Sequence, residues 1–208
     1  MLEDRLKDIS EIRNLMEQQT KFLSLSGLSG VGAGTVALIG AYITYEYLLA
    51  KGIYQSLQRT SSYELMGNEL LELFVIASSI LVCALLAATF FSYRMAKQNK
   101  LPFWNKTAKR MLIDMAIPLG VGGIFSIELA IYSLGGLVPG ATLIFYGLSL
   151  LNGGKYTQPE IRYLGICQIM LGLIAGFFIG YGLFFWAIGF GVLHIVYGLI
   201  LYQKYERK

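Results

Sequence analysis

Long apolar runs alternate with short polar segments along most of this chain. The runs cover approximately these positions: 22–50, 70–94, 111–134, 138–151, 161–179 and 183–203. About 20 apolar residues in a helix cross the hydrocarbon core of a bilayer. The charge-free stretch from Tyr163 to Gln203 is too long for one crossing, so it must fold back, most simply at Gly180-Tyr-Gly182. The pattern predicts six transmembrane helices.

A different pattern precedes the first run. Its apolar residues recur at spacings of three and four: Leu2, Leu6, Ile9, Ile12 and Met16. This spacing predicts an amphipathic helix at 1–21, on the cytoplasmic side of an all-α transmembrane domain at 22–208. Acidic and basic residues are mixed along this helix, unlike the cationic face of a helix that binds anionic lipid. Residues 2–20 therefore either dock a second copy or a partner protein, or simply lead into the first span.

Composition supports a membrane environment. Hydrophobic residues make up 55% of the 208 residues and charged residues 14%, against about 25% charged in soluble domains. A soluble protein of this size leaves much of its surface in water and cannot hide so much apolar area. The 24 glycines and 4 prolines also suit membrane helices, in which glycine permits close backbone approach.

The basic residues predict the orientation. With the N-terminus inside, only Lys51 and Arg59 of the 17 Lys and Arg residues lie outside, which leaves 15 inside. Cytoplasmic loops of membrane proteins carry such an excess. We therefore expect a multi-pass protein of the bacterial inner membrane with both termini in the cytoplasm. The net charge of +4 follows from this topology, so nucleic acid is not an expected partner.

The loop at 94–110 carries the densest group of cations and an aromatic centre, Pro102-Phe-Trp104. Basic side chains and tryptophan are typical of the headgroup level of a membrane. We expect Lys97, Lys100, Trp104 and Lys106 to contact membrane lipids. A specific site for an anionic lipid is the alternative.

Three glutamates lie near the outer ends of predicted spans: Glu46, Glu72 and Glu128. Charged residues within a membrane are costly and are candidates for function. The three could line a path for cations or protons. The alternative is that they contact water, or that Glu46 bonds a tyrosine such as Tyr42, Tyr45 or Tyr132.

At the inner level, Asp114, Gln168 and His194 are predicted to share a depth and to form a polar cluster. For Asp114 the favoured interpretation is instead an ion pair with Lys109 or Arg110, one turn away. His194 is the only histidine, and it could relay protons because imidazole titrates near neutrality. A buried histidine that donates to a neighbouring carbonyl is the favoured interpretation.

The candidate chemistry for an enzyme is sparse. One histidine and two separated cysteines do not supply an ordinary His/Cys zinc site, and neither H-E-x-x-H nor G-x-S-x-G occurs. We expect no metal, no cofactor and no enzymatic activity, although a mechanism based on carboxylates alone stays open.

Glycine spacing predicts helix contacts. Gly30 and Gly34 should bring the first helix close to a neighbour, and the stripe of Gly172, Gly176 and Gly180 should pack the fifth helix against the sixth. The segment 140–148 also matches 191–199 at an offset of 51 positions. This match suggests two tandem parallel hairpins in the second half of the chain.

Several runs resemble those of uncharacterised six-span bacterial inner-membrane proteins: Ile9-Ser-Glu-Ile-Arg-Asn-Leu-Met-Glu17, Lys21-Phe-Leu-Ser-Leu-Ser-Gly-Leu-Ser-Gly-Val31, Arg162-Tyr-Leu-Gly165 and Gly191-Val-Leu-His-Ile-Val-Tyr-Gly198. The last hairpin is also similar, in its glycine spacing, to HdeD-like acid-resistance membrane proteins. Neither resemblance implies an activity or a site residue. The expected function is a non-enzymatic one in protein interaction or envelope maintenance. The alternative is a small channel or carrier for protons or cations that uses the outer glutamates.

Overall fold

The computed structural model describes residues 26–55, 68–100 and 102–207. The amphipathic helix predicted at 1–21 lies outside the described residues. Within them, the chain is helical and contains no strand.

Six helices in the described part of the chain are long and apolar enough to cross a membrane, which fits a multi-pass membrane protein. Each corresponds to one of the predicted spans, with ends that differ by a few residues. A 3₁₀ turn at Gly135–Leu137 leads into the fourth helix, and the sixth begins with a 3₁₀ turn after Phe178. The helices are α1 Gly27–Ala50, α2 Glu69–Gln98, α3 Lys106–Ile131, α4 Val138–Gly153, α5 Glu160–Phe177 and α6 Ile179–Glu206.

Large apolar side chains lie mostly on the outside of the bundle, whereas small residues lie between the helices. Leu86 is 65% exposed and Phe177 86% exposed, while Ala37, Ala96 and Ala175 are buried. Membrane helices associate through small residues because their outer surfaces are already in contact with lipid. The burial pattern is therefore the one expected of a bundle surrounded by acyl chains.

The helices form a central group of four with one helix attached on either side. α1 packs against α6, α6 packs against α4 and α5, and α4 and α5 form a close antiparallel pair. α2 packs mainly against α1, and α3 mainly against α4. The outer helices α2 and α3 therefore lie on different sides of the central group.

Glycines set the distance between α1 and α6. A side chain on Gly27 would meet the backbone of Gly198, and one on Gly34 would meet the carbonyl of Gly191. Gly30 lies in the same contact, against the backbone at Gly198. The predicted close packing through Gly30 and Gly34 is confirmed.

The same arrangement joins α4 to α5. Gly140 lies against Gly172, and Gly147 against Gly165. Each pair leaves no room for a methyl group between the two backbones. The two glycines on each helix are two turns apart, so they face the same neighbour.

The glycine stripe predicted to pack α5 against α6 is therefore assigned to the wrong neighbour. Gly172 packs against α4, a side chain on Gly176 would meet nothing within 4 Å, and Gly180 lies in the 3₁₀ turn at Ile179–Tyr181. The reason is geometric. Gly165 and Gly172 lie two turns apart on one face of α5, and this face packs against α4.

The internal repeat is visible in the packing, but it pairs different helices from those expected. Gly140 and Gly147 of α4 correspond to Gly191 and Gly198 of α6, at the offset of 51. The first pair contacts α5 and the second contacts α1. The equivalent units are thus α4–α5 and α6–α1, and the second unit joins the two ends of the described chain.

Candidate functional site

Two buried polar side chains and one half-buried tyrosine meet between the two glycine-packed pairs of helices. They are Tyr146 of α4, Gln168 of α5 and His194 of α6. Gln168 is fully buried and His194 is 7% exposed. Polar groups withdrawn from water need hydrogen-bond partners nearby, so this cluster is the strongest candidate site in the described residues.

A π-helical segment of α6, Ala187–Leu193, positions the shared acceptor of the cluster. The Nε2 amide of Gln168 donates to the carbonyl of Gly189 at 2.8 Å. Nδ1 of His194 lies 3.0 Å from the same oxygen. π-Helical turns occur often at functional sites because they displace the regular backbone hydrogen bonds of a helix.

The shared carbonyl fixes the histidine tautomer. A carbonyl oxygen only accepts, so Nδ1 of His194 must carry a proton and donate to Gly189. The 3.4 Å between Nδ1 and the amide of Gln168 then separates two donors that share one acceptor. The favoured interpretation of His194, as a donor to a neighbouring carbonyl, is confirmed.

The other ring nitrogen completes the arrangement. Nε2 of His194 is free to accept, and the hydroxyl of Tyr146 lies 2.8 Å away and donates to it. The ring of Phe190 stacks on the imidazole, with 13° between the planes. In the neutral imidazole, both ring nitrogens therefore have a hydrogen-bond partner.

Two polar atoms at this level have no hydrogen-bond partner in the part of the chain that the structure describes. They are Oε1 of Gln168 and the hydroxyl of Tyr197. Oε1 of Gln168 and the side chain of Leu143 lie where a side chain on Gly189 would have to go. A side chain at 189 would therefore have to displace Leu143 and Gln168. The cluster has one acceptor and one hydroxyl without a partner among the described residues.

Sequence reasoning missed Tyr146, Gly189 and Tyr197. A signal was available for the tyrosines, because Tyr146 and Tyr197 occupy matching positions of the repeat at the offset of 51. Gly189 gave no signal, since the π-helical segment depends on the packing of α6.

Asp114 does not join Gln168 and His194, which corrects the predicted inner cluster. It lies on α3, which packs on α4, whereas the cluster lies among α4, α5 and α6. The hydroxyl of Tyr156 donates to Oδ2 of Asp114 at 2.7 Å. This bond raises the pKa of Tyr156 because the carboxylate stabilises the protonated phenol. The ion pair expected with Lys109 or Arg110 is not formed among the described residues.

The outer glutamates that the structure describes have different partners. Glu72 accepts from the hydroxyl of Tyr47 at 2.7 Å and pairs with Lys51 at 3.3 Å. Glu46 is exposed on α1 and interacts with Tyr42, one of the expected tyrosines.

Glu128 lies on α3, which has no extensive contact with α1 or α2. It is exposed. The three carboxylates therefore do not line one path within the described bundle.

The residues expected at headgroup level are all exposed: Lys97, Lys100, Trp104 and Lys106. Trp104 is 64% exposed, and its neighbour Phe103 packs edge-on against Tyr93 with the ring centres 5.7 Å apart. The loop is thus held to the end of α2 while its cations and indole point outward. Their contact with lipid stays a prediction.

The end of α6 ties the helices together on the side predicted to face the cytoplasm. The carboxylate of Glu206 accepts from the hydroxyl of Ser26, at 3.0 Å, and from the backbone N–H of Gly27. A carboxylate at a helix N-terminus satisfies free N–H groups and complements the helix dipole. Lys204 also pairs with Glu160 at the start of α5.

Comparison with known proteins adds no identification. No protein-family model, curated protein or solved structure matches the chain. The resemblances noted in the sequence therefore stay predictions. No group of three or more His, Cys, Asp or Glu side chains that could hold a metal ion occurs among the residues described.

Proposed function

We propose that this chain is a multi-pass protein of the bacterial inner membrane, with both termini in the cytoplasm and a non-enzymatic role in protein interaction or envelope maintenance. The distribution of Lys and Arg supports the orientation, with 15 of 17 on one side and Lys51 and Arg59 on the other. A reporter that is active only in the cytoplasm should be active when it is fused after Lys208, and a reporter that is active only in the periplasm should not. Activity of a periplasmic reporter would contradict the orientation.

The exposed surface of α2 carries the proposal of an interaction role. This helix packs mainly against α1, and apolar side chains are exposed from one end to the other, including Leu71, Val82 and Phe90. The polar groups of the cluster bond mostly to one another and to the backbone, so they offer less to a partner than the exposed surface of α2 does. The surface most available to another membrane component is therefore the outer face of α2.

The two cysteines offer an internal comparison for testing this role. Cys83 lies on α2 and Cys167 on α5, and both are free and exposed. A cleavable photo-crosslinker attached to Cys83, in a Cys167→Ser background, should capture a defined protein in native membranes. The same reagent on Cys167, in a Cys83→Ser background, should capture lipid. Equal capture by both, or capture of lipid alone at Cys83, would overturn the role of α2.

The N-terminal segment gives a second test. Removal of residues 1–20 should change the oligomeric state or the proteins that co-purify, if residues 2–20 dock a second copy or a partner. The matched control is a variant that keeps these residues but replaces their charges with glutamine or asparagine. An unchanged oligomeric state and an unchanged set of partners would remove this docking role.

A small carrier for protons is the second candidate, and the polar cluster favours it. Tyr146 bonds His194, and Tyr146 and Tyr197 both pack against the buried group of Leu150, Ile161 and Leu164. These groups form a polar series from the middle of α6 towards the start of α5.

Purified protein in liposomes should then conduct protons, and His194→Leu should abolish the flux. Glu46→Gln and Glu128→Gln test the earlier idea of a path through the outer glutamates. If only the glutamate variants lower the flux, the path lies outside the cluster. If no variant differs and the wild type conducts nothing, the carrier function fails.

A further inference from the structure

The outer side of the α3–α4 pair contains a groove that the preceding proposals do not use. Its volume is about 390 Å³. Apolar side chains from both helices line most of its length: Ile117, Val121, Phe145 and Leu148. Ile117 is 64% exposed and Val121 54% exposed. Because this surface faces outward from an apolar bundle, a lipid acyl chain is the natural occupant.

One end of the groove is polar and carries both signs of charge. Asp114, Asn152 and Lys155 line it, at the end of the bundle predicted to face the cytoplasm. Tyr156 bonds only Oδ2 of Asp114, and no hydrogen bond to Oδ1 is formed among the described residues. Lys155 is exposed and makes no ion pair within the described chain. The two charges share the groove without neutralising each other.

Pro118 adds a further acceptor at the same place. Proline has no backbone N–H, so the carbonyl four residues earlier in a helix loses its regular partner. Here that carbonyl belongs to Asp114, and the side-chain amide of Asn152 approaches it at 3.5 Å, which is a long hydrogen bond. The polar end therefore offers a carboxylate oxygen and a weakly bonded carbonyl to a donor with several N–H groups.

We infer that this groove binds one phospholipid of the phosphatidylethanolamine type. The ammonium group donates to Asp114, through its carboxylate and its backbone carbonyl. The phosphate pairs with Lys155 and accepts from Asn152, and one acyl chain lies between α3 and α4. Charges near the hydrocarbon region are costly unless they are paired, and this headgroup supplies an opposite charge for each of the two.

The headgroup chemistry distinguishes this lipid from its relatives. A choline headgroup carries the same charges but has no N–H, so it cannot donate to Asp114. A glycerol headgroup lacks the cation and leaves a phosphate facing a carboxylate. The site should therefore prefer ethanolamine over choline and over glycerol. This inference does not depend on the interaction role of α2 or on the carrier function.

The test is a lipid competition on the intact protein. Purified protein in detergent receives equal amounts of dioleoyl phosphatidylethanolamine, phosphatidylcholine and phosphatidylglycerol, and native mass spectrometry reports which lipid stays bound. We expect one phosphatidylethanolamine per chain, preferred about tenfold, which corresponds to roughly 1.4 kcal/mol. Equal retention of all three lipids, or a preference for phosphatidylglycerol, would overturn the inference.

Variants assign the preference to the groove. Asp114→Asn should remove the advantage of ethanolamine over choline, whereas Lys155→Gln should lower retention of both. Tyr156→Phe removes a hydrogen bond from Asp114 but keeps its charge, so it should preserve the preference. Arg207→Gln, at an exposed position after the end of α6, is the control for a general loss of positive charge.

A steric variant tests the acyl chain. Leu148→Trp should fill the groove and reduce retention of every phospholipid, while Leu86→Trp on the exposed face of α2 should have no effect. Thermal unfolding of each variant in detergent separates a lost site from a lost fold. If phosphatidylethanolamine is still preferred in a folded Asp114→Asn protein, or is retained by a folded Leu148→Trp protein, the site lies elsewhere.

Discussion

The α4–α5 pair and the α6–α1 pair use the same contact twice. In the first, a side chain on Gly172 would meet the carbonyl of Gly140 and the side chain of Ile144. In the second, a side chain on Gly34 would meet the carbonyl of Gly191 and the side chain of Ile195. The glycines of α4 and α6 differ by the repeat offset of 51, and so do the isoleucines. In both pairs, therefore, the two helices approach each other through a glycine that faces a carbonyl and an isoleucine.

The two pairs differ in the residues that face the space between them. Leu143 of α4 and His194 of α6 occupy matching positions, and both are buried. The matching tyrosines also differ in their hydrogen bonds. The hydroxyl of Tyr146 bonds His194, while the hydroxyl of Tyr197 has no partner in the described residues. The repeated glycines thus determine how closely the helices pack, and the difference between Leu143 and His194 gives α6 an imidazole where α4 has an apolar side chain.

The largest expected effect comes from breaking one of the two crossings. Gly172→Leu forces a side chain against the backbone of α4, and we expect a loss of about 3 kcal/mol in the free energy of unfolding. Gly34→Leu should cost a similar amount at the α1–α6 crossing. Gly176→Leu is the control on α5, since nothing lies within 4 Å of the new side chain. Unfolding in a denaturing detergent titration measures all three, and equal stability of the Gly172 and Gly176 variants would refute the crossing.

A smaller effect should follow when α6 is made to resemble α4. His194→Leu gives α6 the leucine that α4 has at position 143, but it leaves the hydroxyl of Tyr146 without its partner on His194. We expect a loss of about 1–3 kcal/mol. Adding Tyr146→Phe should recover part of it, because the orphaned hydroxyl is removed. Additive losses in the double variant would show that the two side chains are not coupled.

The smallest effect should separate the two matching tyrosines. Tyr146→Phe removes a hydrogen bond to His194 and should cost about 1 kcal/mol. Tyr197→Phe removes a buried hydroxyl without a partner in the described chain, so the free energy of unfolding should stay the same or rise. The same detergent titration compares them. A cost for Tyr197→Phe as large as that for Tyr146→Phe would mean that the Tyr197 hydroxyl is bonded in the membrane.

Particular residues show where sequence reasoning reached its limit on the site. Donation by His194 to a carbonyl was predictable, because a lone buried imidazole needs an acceptor and backbone carbonyls are the commonest ones. The identity of that carbonyl was not predictable, since Gly189 becomes accessible only through a π-helical segment. Asp114 was assigned the wrong partners, because it contacts Asn152 and Tyr156 at the end of α4, whereas the cluster meets α4 at Tyr146. The position of a residue along its own helix does not say which neighbour its side chain meets.

The sequence by itself determined the helical class, the six long apolar helices and some positions of close packing, among them Gly30, Gly34 and Gly172. These follow from local properties, namely the length of each apolar run and the spacing of small residues along one helix face. Only the tertiary structure decided which helices meet, and it assigned Gly172 to α4 rather than to α6. It also decided which polar residues share a site, because helices adjacent in the chain, such as α2 and α3, need not be neighbours in the bundle.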